Sequence, residues 1–273
     1  MKFLSHFLAF LLATVLALSV SSWILERTLW SAPYIGKQAS QTKLYDNLAT
    51  GIPQAFAHAD AGTDTDASGL KNLNPALIQN QLSNLLPQFI DHIHKAGPAP
   101  TIDLAALAVS LGQPAPDGPA VKTVNFGSAD AKITATGKNL HTAGTYAPFV
   151  ALAFILLILA VMRDYRFPTL ARGAFDTAVA LGIAAGLFWF MPNLILQALN
   201  KPTLLPIRDA ITSFATSLFH GIAAQFGIAT LVFIAAAIGL WLAHGAGRIK
   251  AKFTPKPKKP PKTSPPVPGS TRL

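Results

Sequence analysis

Four long runs of apolar residues divide the chain. They cover residues 1–25, 146–162, 174–199 and 222–244, and few charged side chains interrupt them. A helix needs about 20 apolar residues to cross the hydrocarbon core of a bilayer. The pattern therefore predicts an all-α membrane protein with four transmembrane helices.

The first run has two interpretations. Lys2 followed by an apolar stretch with small residues over 17–21 resembles a cleaved signal peptide. The run continues to Trp23 and beyond, which favours an uncleaved anchor because tryptophan prefers the membrane interface. Both interpretations place residues 26–145 on the same side of the membrane.

Residues 26–145 are predicted to form an extracytoplasmic domain that is helical over about 33–111. Apolar residues recur at helical spacing over 33–56, with Gly51 and Pro53 marking the expected end. A second helix should begin at Asn74-Pro75, a capping residue followed by a helix-compatible proline. Pro87 should kink or divide that helix. A short helix is expected over 101–111, with Thr101 as its cap.

Residues 112–145 are rich in Gly, Pro, Thr and Ala. This composition predicts a loose connector into the second transmembrane helix. Two extended pieces, Val121–Phe126 and Lys132–Thr136, are candidates to pair as strands.

Residues 200–221 are predicted to form an external loop with an amphipathic helix over Pro206–Phe219. Such a helix would lie on the outer membrane surface or support the large domain.

Charge placement orients the chain. Three arginines and one aspartate lie in the predicted cytoplasmic loop 163–173, and the segment 245–273 is basic and proline-rich. Cytoplasmic segments carry an excess of Lys and Arg, so both termini are expected in the cytoplasm. The chain has no cysteine and no Asn-x-Ser/Thr acceptor. The first absence excludes disulfides and cysteine-ligated metals. The second gives no sign of a eukaryotic secretory route and favours a bacterial or archaeal membrane, and we expect the bacterial cytoplasmic membrane.

The net charge of +10 does not indicate nucleic-acid binding. Residues 26–147 carry eight Lys/Arg and nine Asp/Glu, whereas residues 248–273 carry eight Lys/Arg and no acid. The basic segment is expected to contact anionic lipid or, as a polyproline helix, a protein partner. The lysines predicted to make this contact are Lys250, Lys252, Lys256, Lys258, Lys259 and Lys262.

An acidic segment is the candidate metal site in the sequence. Asp64, Asp66 and Gly69 match positions in the first half of a calcium-binding loop, and Asp60 is nearby. The twelfth position is Pro75, which offers no side-chain oxygen. A solvated acidic loop is therefore the alternative interpretation.

His92 and His94 are expected to be surface side chains rather than zinc ligands. His92 and His94 are two residues apart on a predicted helix, where they point in different directions and should lie at the surface. His141 stands alone in the segment predicted to be loose.

Small residues recur in the third and fourth apolar runs at Gly182, Gly186, Gly239 and Ala243. Stripes of this kind allow helices to approach closely in a membrane. They indicate packing within the protein or an interface between subunits.

Three short motifs carry a resemblance. Leu44-Tyr45-Asp46, the helix led by Asn74-Pro75 and the Thr-Ile-Asp-Leu sequence at Thr101–Leu104 follow the first apolar run in that order. In this respect the chain resembles uncharacterised bacterial multi-span membrane proteins. The resemblance implies an external helical domain after the first transmembrane helix and brings no catalytic residues.

No nucleophile elbow, phosphate-binding glycine loop or zinc-protease motif occurs in the sequence. We therefore expect neither an enzyme nor a cofactor. The predicted function is a membrane scaffold or interaction protein that contacts the lipid bilayer and a membrane or envelope protein partner, with a homo-oligomer as a further option. The alternative is an accessory subunit of a membrane transport or export system.

Overall fold

The computed structural model describes residues 2–59, 73–95, 97–103, 121–123, 130–162, 164–199 and 205–253. In these ranges the chain forms seven helices and two short strands. They are α1 (Lys2–Arg27), α2 (Ala32–Gln41), α3 (Leu44–Ala59), α4 (Pro75–Lys95), β1 (Thr101–Asp103), β2 (Val121–Thr123), α5 (Asp130–Val161), α6 (Arg166–Ala198) and α7 (Leu205–Phe253).

Four of these helices, α1, α5, α6 and α7, are long and apolar enough to cross a membrane, as predicted. Helix α1 packs between α5 and α6, and α6 packs against α7. The spatial order is therefore α5, α1, α6, α7, in an open layer with α5 and α7 at its edges. Helices α1 and α6 run parallel to each other, since Ser5 contacts Thr169 and Ala13 contacts Thr177, whereas α5 and α7 run antiparallel to them. Helices α2, α3 and α4 lie at the end where α1 finishes and α7 begins, which we call the α2–α4 end.

Hydroxyl groups join α1 to α6 inside the layer. Ser5 Oγ and Thr169 Oγ1 are 2.6 Å apart and buried, and Thr177 Oγ1 donates to the carbonyl oxygen of Ala13 in α1 at 3.5 Å. A Cβ atom at Gly173 would lie 3.3 Å from the carbonyl oxygen of Ala9, so the glycine permits a close helix approach. These polar groups are satisfied within the protein, as an apolar surrounding requires.

The centre of the layer is an apolar cluster where α1, α6 and α7 meet. Ile24, Leu181 and Phe226 are buried in it. Phe188 stacks on Phe226 with 5.4 Å between ring centroids, a spacing that aromatic pairs favour. A second cluster holds α2, α3 and α4 against the first turns of α7, and its buried members are Ala39, Leu44, Tyr45, Ile78 and Ala210.

The helix predicted over 33–56 is two helices. The backbone breaks at Thr42-Lys43, where Lys43 adopts a left-handed conformation with φ of 52°. Gly51 and Pro53 do not end the second helix, which continues to Ala59. Gly51 instead faces α7, since a Cβ atom there would lie 2.6 Å from the carbonyl oxygen of Pro206.

Helix α4 begins where the sequence predicts. The backbone N–H of Leu77 donates to Oδ1 of Asn74 at 2.8 Å, and Pro75 is the first helical residue. Pro87 lies inside a helix that continues to Lys95, so the predicted division into two helices is wrong.

Thr101–Asp103 is a strand, where a helix with a Thr101 cap was predicted. It pairs antiparallel with Val121–Thr123, with Thr101 opposite Thr123. The two prolines at positions 98 and 100 disfavour helix just before it, and the β-branched pair that follows favours a strand. Residues 104–120 lie outside the described ranges, and the two strands are a small departure from the all-α prediction.

The prediction of a loose connector is wrong for residues 130–145, which are helical. Lys132–Thr136, a strand candidate, lies in α5 together with the second apolar run. Glycines there serve packing rather than flexibility: a Cβ atom at Gly137 would meet the backbone of Ile93 in α4, and one at Gly144 would meet Ser22 in α1. Composition alone does not distinguish these two uses of glycine.

Two further predicted boundaries differ from the structure. Helix α6 starts at Arg166, so most of the predicted loop 163–173 is helical. The predicted amphipathic helix Pro206–Phe219 and the fourth transmembrane helix form one helix of 49 residues that reaches Phe253. Residues 254–273 of the predicted tail lie outside the described ranges.

Contact between α3 and α7 should make Gly51 intolerant of a side chain. We expect Gly51→Ala to destabilise the protein by about 1–3 kcal/mol, because its Cβ would press on backbone that cannot rotate away. Gly36→Ala is the matched control, since nothing lies within 4 Å of a Cβ there. It should be neutral or stabilise by up to about 1 kcal/mol. Thermal unfolding in mild detergent measures both, and equal midpoints for the two variants would refute the contact.

Candidate functional site

An apolar cleft lies between α2, α3, α4 and α7 at the α2–α4 end. Its volume is about 460 Å³. Each of the four helices contributes apolar side chains to the wall, among them Ile35, Ala39, Leu44, Leu82, Leu86 and Phe214. A cleft of this size and lining is typical of sites that bind apolar ligands or side chains.

The cleft continues along α4 into a second apolar depression. This depression has a volume of about 250 Å³ and lies against α3, with Leu48, Ile52 and Leu85 in its wall. Leu82 lines both cavities and is 37% exposed. The α4 helix therefore presents an apolar strip that is longer than the cleft itself.

The wall formed by α2 is fixed to α7 by polar contacts. Ser217 Oγ donates to Oε1 of Gln38 at 2.6 Å. The hydroxyl of Tyr34 lies against Gly221, where any side chain would displace it. Burial raises the pKa of Tyr34, and a hydrogen bond with Gln38 partly offsets this rise.

Polar groups in the cleft wall are few. Of the lining residues, Tyr45 and Ser83 carry side-chain hydroxyls. Burial raises the pKa of Tyr45 above its usual value, so its hydroxyl is neutral at physiological pH. Neither group supplies the paired acid and base that general catalysis requires. The described lining of the cleft is therefore almost entirely apolar.

The histidine predictions need correction. His92 and His94 were expected at the surface, but they are 7% and 8% exposed. Their different directions are as predicted: His92 Nδ1 lies 2.8 Å from the carbonyl oxygen of Gly97, whereas the His94 ring contacts Trp30 at 5.2 Å between ring centroids. The surface expectation was wrong because α4 packs its last turns against α5.

His141 is not isolated, contrary to the prediction. Its Nδ1 lies 3.0 Å from Oε1 of Glu26, and its ring lies 4.8 Å from that of His94 between centroids. The signal in the sequence was the spacing of His141 from Gly137 and Gly144, which puts all three on one helical face. Recognising it required knowing that this segment is a helix.

Glu26, His94 and His141 are also the described residues that could hold a metal ion. One ligand atom from each lies within 4.8 Å of the others. The candidates from the sequence, Asp60, Asp64 and Asp66, lie outside the described residues, so that prediction stays open.

The predicted stripes of small residues have different surroundings. A Cβ atom at Gly182 would make ordinary contact with Thr230 at 3.7 Å, so this glycine faces α7. Within the part of the chain that the structure describes, nothing lies within 4 Å of a Cβ at Gly186 or Gly239, and Ala243 is exposed. The last three positions therefore do not pack against the described residues. A subunit interface at these positions stays a prediction.

Lys250 and Lys252 lie in the last turn of α7, beyond the residues whose side chains are described. The other four lysines predicted to contact lipid or a partner (Lys256, Lys258, Lys259 and Lys262) lie outside the described ranges. Their contacts stay a prediction.

The contact between Gln38 and Ser217 should contribute to the stability of the cleft wall. We expect Ser217→Ala to cost about 1 kcal/mol, because it leaves Oε1 of Gln38 without this hydrogen bond. Gln38→Ala should cost more, because it also removes the hydrogen bond with Tyr34. The double variant should cost about as much as Gln38→Ala alone, since that change already removes the contact with Ser217.

Ser213→Ala is the matched control for this pair. Ser213 is exposed one turn earlier on α7, and its loss should change stability by less than about 0.5 kcal/mol. Thermal unfolding of the four variants in detergent gives the coupling between Gln38 and Ser217. Additive losses would show that the hydrogen bond does not join α2 to α7.

The chain has no match to guide the interpretation of this cleft. No protein-family model, no curated protein and no solved structure matches it. The features that bear on the function of the chain are the geometry of the cleft, the open helix layer and the placement of charge.

Proposed function

We propose that the chain is an integral membrane interaction protein whose apolar cleft holds an apolar segment of a membrane or envelope protein. The cleft itself carries the proposal, because it is apolar on all four of its helices. An amphipathic helix that lays its apolar face into such a groove is a common form of recognition. The proposal assigns binding and no reaction.

The position of the cleft along α7 supports a partner near the membrane surface. Trp189 stacks on His220 with 3.9 Å between ring centroids, and tryptophan favours the membrane interface. Trp241 follows His220 by 21 residues of the same helix, which is about 31 Å at 1.5 Å per residue and matches a hydrocarbon core of about 30 Å. Phe214 then lies about 9 Å beyond this interface, within reach of segments flanking a transmembrane helix.

Charge supports an extracytoplasmic position for the α2–α4 end. The basic residues Arg166, Arg172, Lys250 and Lys252 belong to the opposite end of the layer, where α6 begins and α7 finishes. The positive-inside rule puts that end in the cytoplasm of a bacterial cell. The cleft would then face the cell envelope.

The open layer supports a second candidate, an accessory subunit of a transport or export system. In the most apolar windows of α6 and α7, 11% of the residues are buried inside the protein. The remaining apolar surface is available to lipid or to helices of another subunit. This candidate shares the cleft and differs in its partner, which would be a pore-forming chain or an energy-coupling subunit.

Photo-crosslinking in native membranes tests the cleft. A photoreactive phenylalanine analogue in place of Leu82 should form a discrete adduct with one partner protein. The same analogue in place of Asn80, an exposed residue of α4 outside both cavities, is the matched control and should form little. Leu86→Glu in the Leu82-substituted chain should abolish the adduct, because an unpaired charge in an apolar site is costly.

Three outcomes would overturn this proposal. The first is the absence of any adduct at position 82, and the second is equal labelling at positions 80 and 82. The third is an adduct that persists unchanged in the Leu86→Glu chain. The mass of a confirmed adduct would also separate an envelope protein from a transport subunit.

Cysteine labelling can test the membrane topology without background reaction from native residues, because the chain has no cysteine. In intact bacterial cells, Asn80→Cys should react with a membrane-impermeant maleimide. Ser264→Cys in the basic segment should react only after the membrane is permeabilised. The reverse pattern would place the cleft in the cytoplasm and remove envelope proteins as its partners.

A further inference from the structure

Three helices bring a carboxylate and two imidazoles together at the α2–α4 end. Glu26 lies in the last turn of α1, His94 in the last turn of α4, and His141 in the first half of α5. Nδ1 of His141 is 3.0 Å from Oε1 of Glu26, and one ligand atom of each residue lies within 4.8 Å of the others. None of the three residues lines the apolar cleft or the second apolar depression.

Close helix packing produces this arrangement. His141 lies between Gly137 and Gly144 on one face of α5, and these glycines let α5 approach Ile93 of α4 and Ser22 of α1. Ser22 Oγ also donates to the carbonyl oxygen of Leu140 at 3.1 Å. The backbone around the cluster is therefore held from two sides, while the three side chains converge.

The chemistry of the three groups points to one class of ligand. We propose that Glu26, His94 and His141 bind a divalent cation of the zinc class. Two imidazole nitrogens and one carboxylate oxygen form a three-residue zinc ligand set, with a fourth position left for water or another ligand. Calcium and magnesium prefer all-oxygen sites, so the two histidines select against them.

The geometry requires only a small adjustment to hold such an ion. Zinc bonds of about 2.0–2.2 Å in a tetrahedron place ligand atoms about 3.4 Å apart. The pair Glu26–His141 is at 3.0 Å, and His94 has to approach by at most about 1.4 Å. The side chains of Glu26 and His141 are 39% and 44% exposed, so they can rotate, and an ion can enter from solvent.

Binding would have a structural consequence for the proposed interaction site. The ion would tie the last turn of α4 to α1 and α5 of the helix layer. The middle of the same helix forms one wall of the cleft through Leu82 and Leu86. Without an ion, Glu26 and His141 share one hydrogen-bond contact between half-exposed side chains, and exposed contacts of this kind contribute little to stability. Coordination of one metal ion by all three side chains would link the three helices more strongly than this contact does.

Metal titration of the full chain in mild detergent tests the proposal. The protein is purified with a tag that contains no histidine, stripped with a chelator, and titrated first with Co²⁺ and then with Zn²⁺. We expect one saturable Co²⁺ per chain, with the visible absorption of a four-coordinate ion, and its displacement by Zn²⁺. The midpoint of thermal unfolding should rise with Zn²⁺, since the ion binds the folded state.

Variants locate the site. Glu26→Gln and His141→Gln should each weaken binding by at least about tenfold, because each removes one ligand while keeping a hydrogen-bonding side chain of similar size. His94→Gln should do the same. His244→Gln is the matched control, since this partly exposed histidine lies near the opposite end of α7. It should bind Co²⁺ as the unaltered chain does.

The proposal fails if the chain shows no saturable binding of either ion. It also fails if Glu26→Gln and His141→Gln bind as tightly as the unaltered chain. These two variants decide the question even if His94→Gln does not fold, because their side chains are half-exposed. Cross-linking at Leu82 does not involve these groups, so failure of the metal site is distinguishable from failure of the interaction cleft.

Discussion

The continuity of α7 is the constraint on which the rest of the structure depends. An apolar surrounding forces backbone hydrogen bonds to close within each helix, and in α7 this pattern continues beyond the apolar segment without a break. One rigid helix therefore packs against α6 in the layer and against α3 outside it. Because α2 and α3 rest on its first turns, the cleft is held at a set distance from the layer.

Two kinds of packing meet along this helix. In the layer, small residues and buried hydroxyls let α1 approach α6, as Gly173, Ser5 and Thr169 show. Association there depends on close contact, because lipid is as apolar as the helices themselves. At the α2–α4 end, which we propose to lie outside the bilayer, Leu44 and Ile78 would leave water when they pack, and the hydrophobic effect would contribute directly. The open layer and the incompletely filled cleft both leave apolar surface for other molecules.

The sequence predicted single elements of the candidate sites but not the sites themselves. The start of α4 was predicted from its cap, and the apolar residues of this helix form the strip along the cleft. The cleft was not predicted, since it exists only between α4 and three other helices. The cluster of Glu26, His94 and His141 was missed for the same reason, because its members are 68 and 47 residues apart along the chain. A wrong prediction for residues 130–145 also hid the helix that carries His141.

The sequence by itself determined the four apolar helices and the start of α4. Length, apolar composition and the Asn74 cap are local properties, and local physics decides them. Tertiary structure decided which glycines serve packing, which histidines are buried, and where α5 and α6 begin. Each of these depends on a partner segment far away in the chain: Gly137 on Ile93, Gly144 on Ser22, and Gly51 on Pro206. A glycine looks the same in the sequence whether it loosens a connector or admits a neighbouring helix, and only the neighbour distinguishes the two.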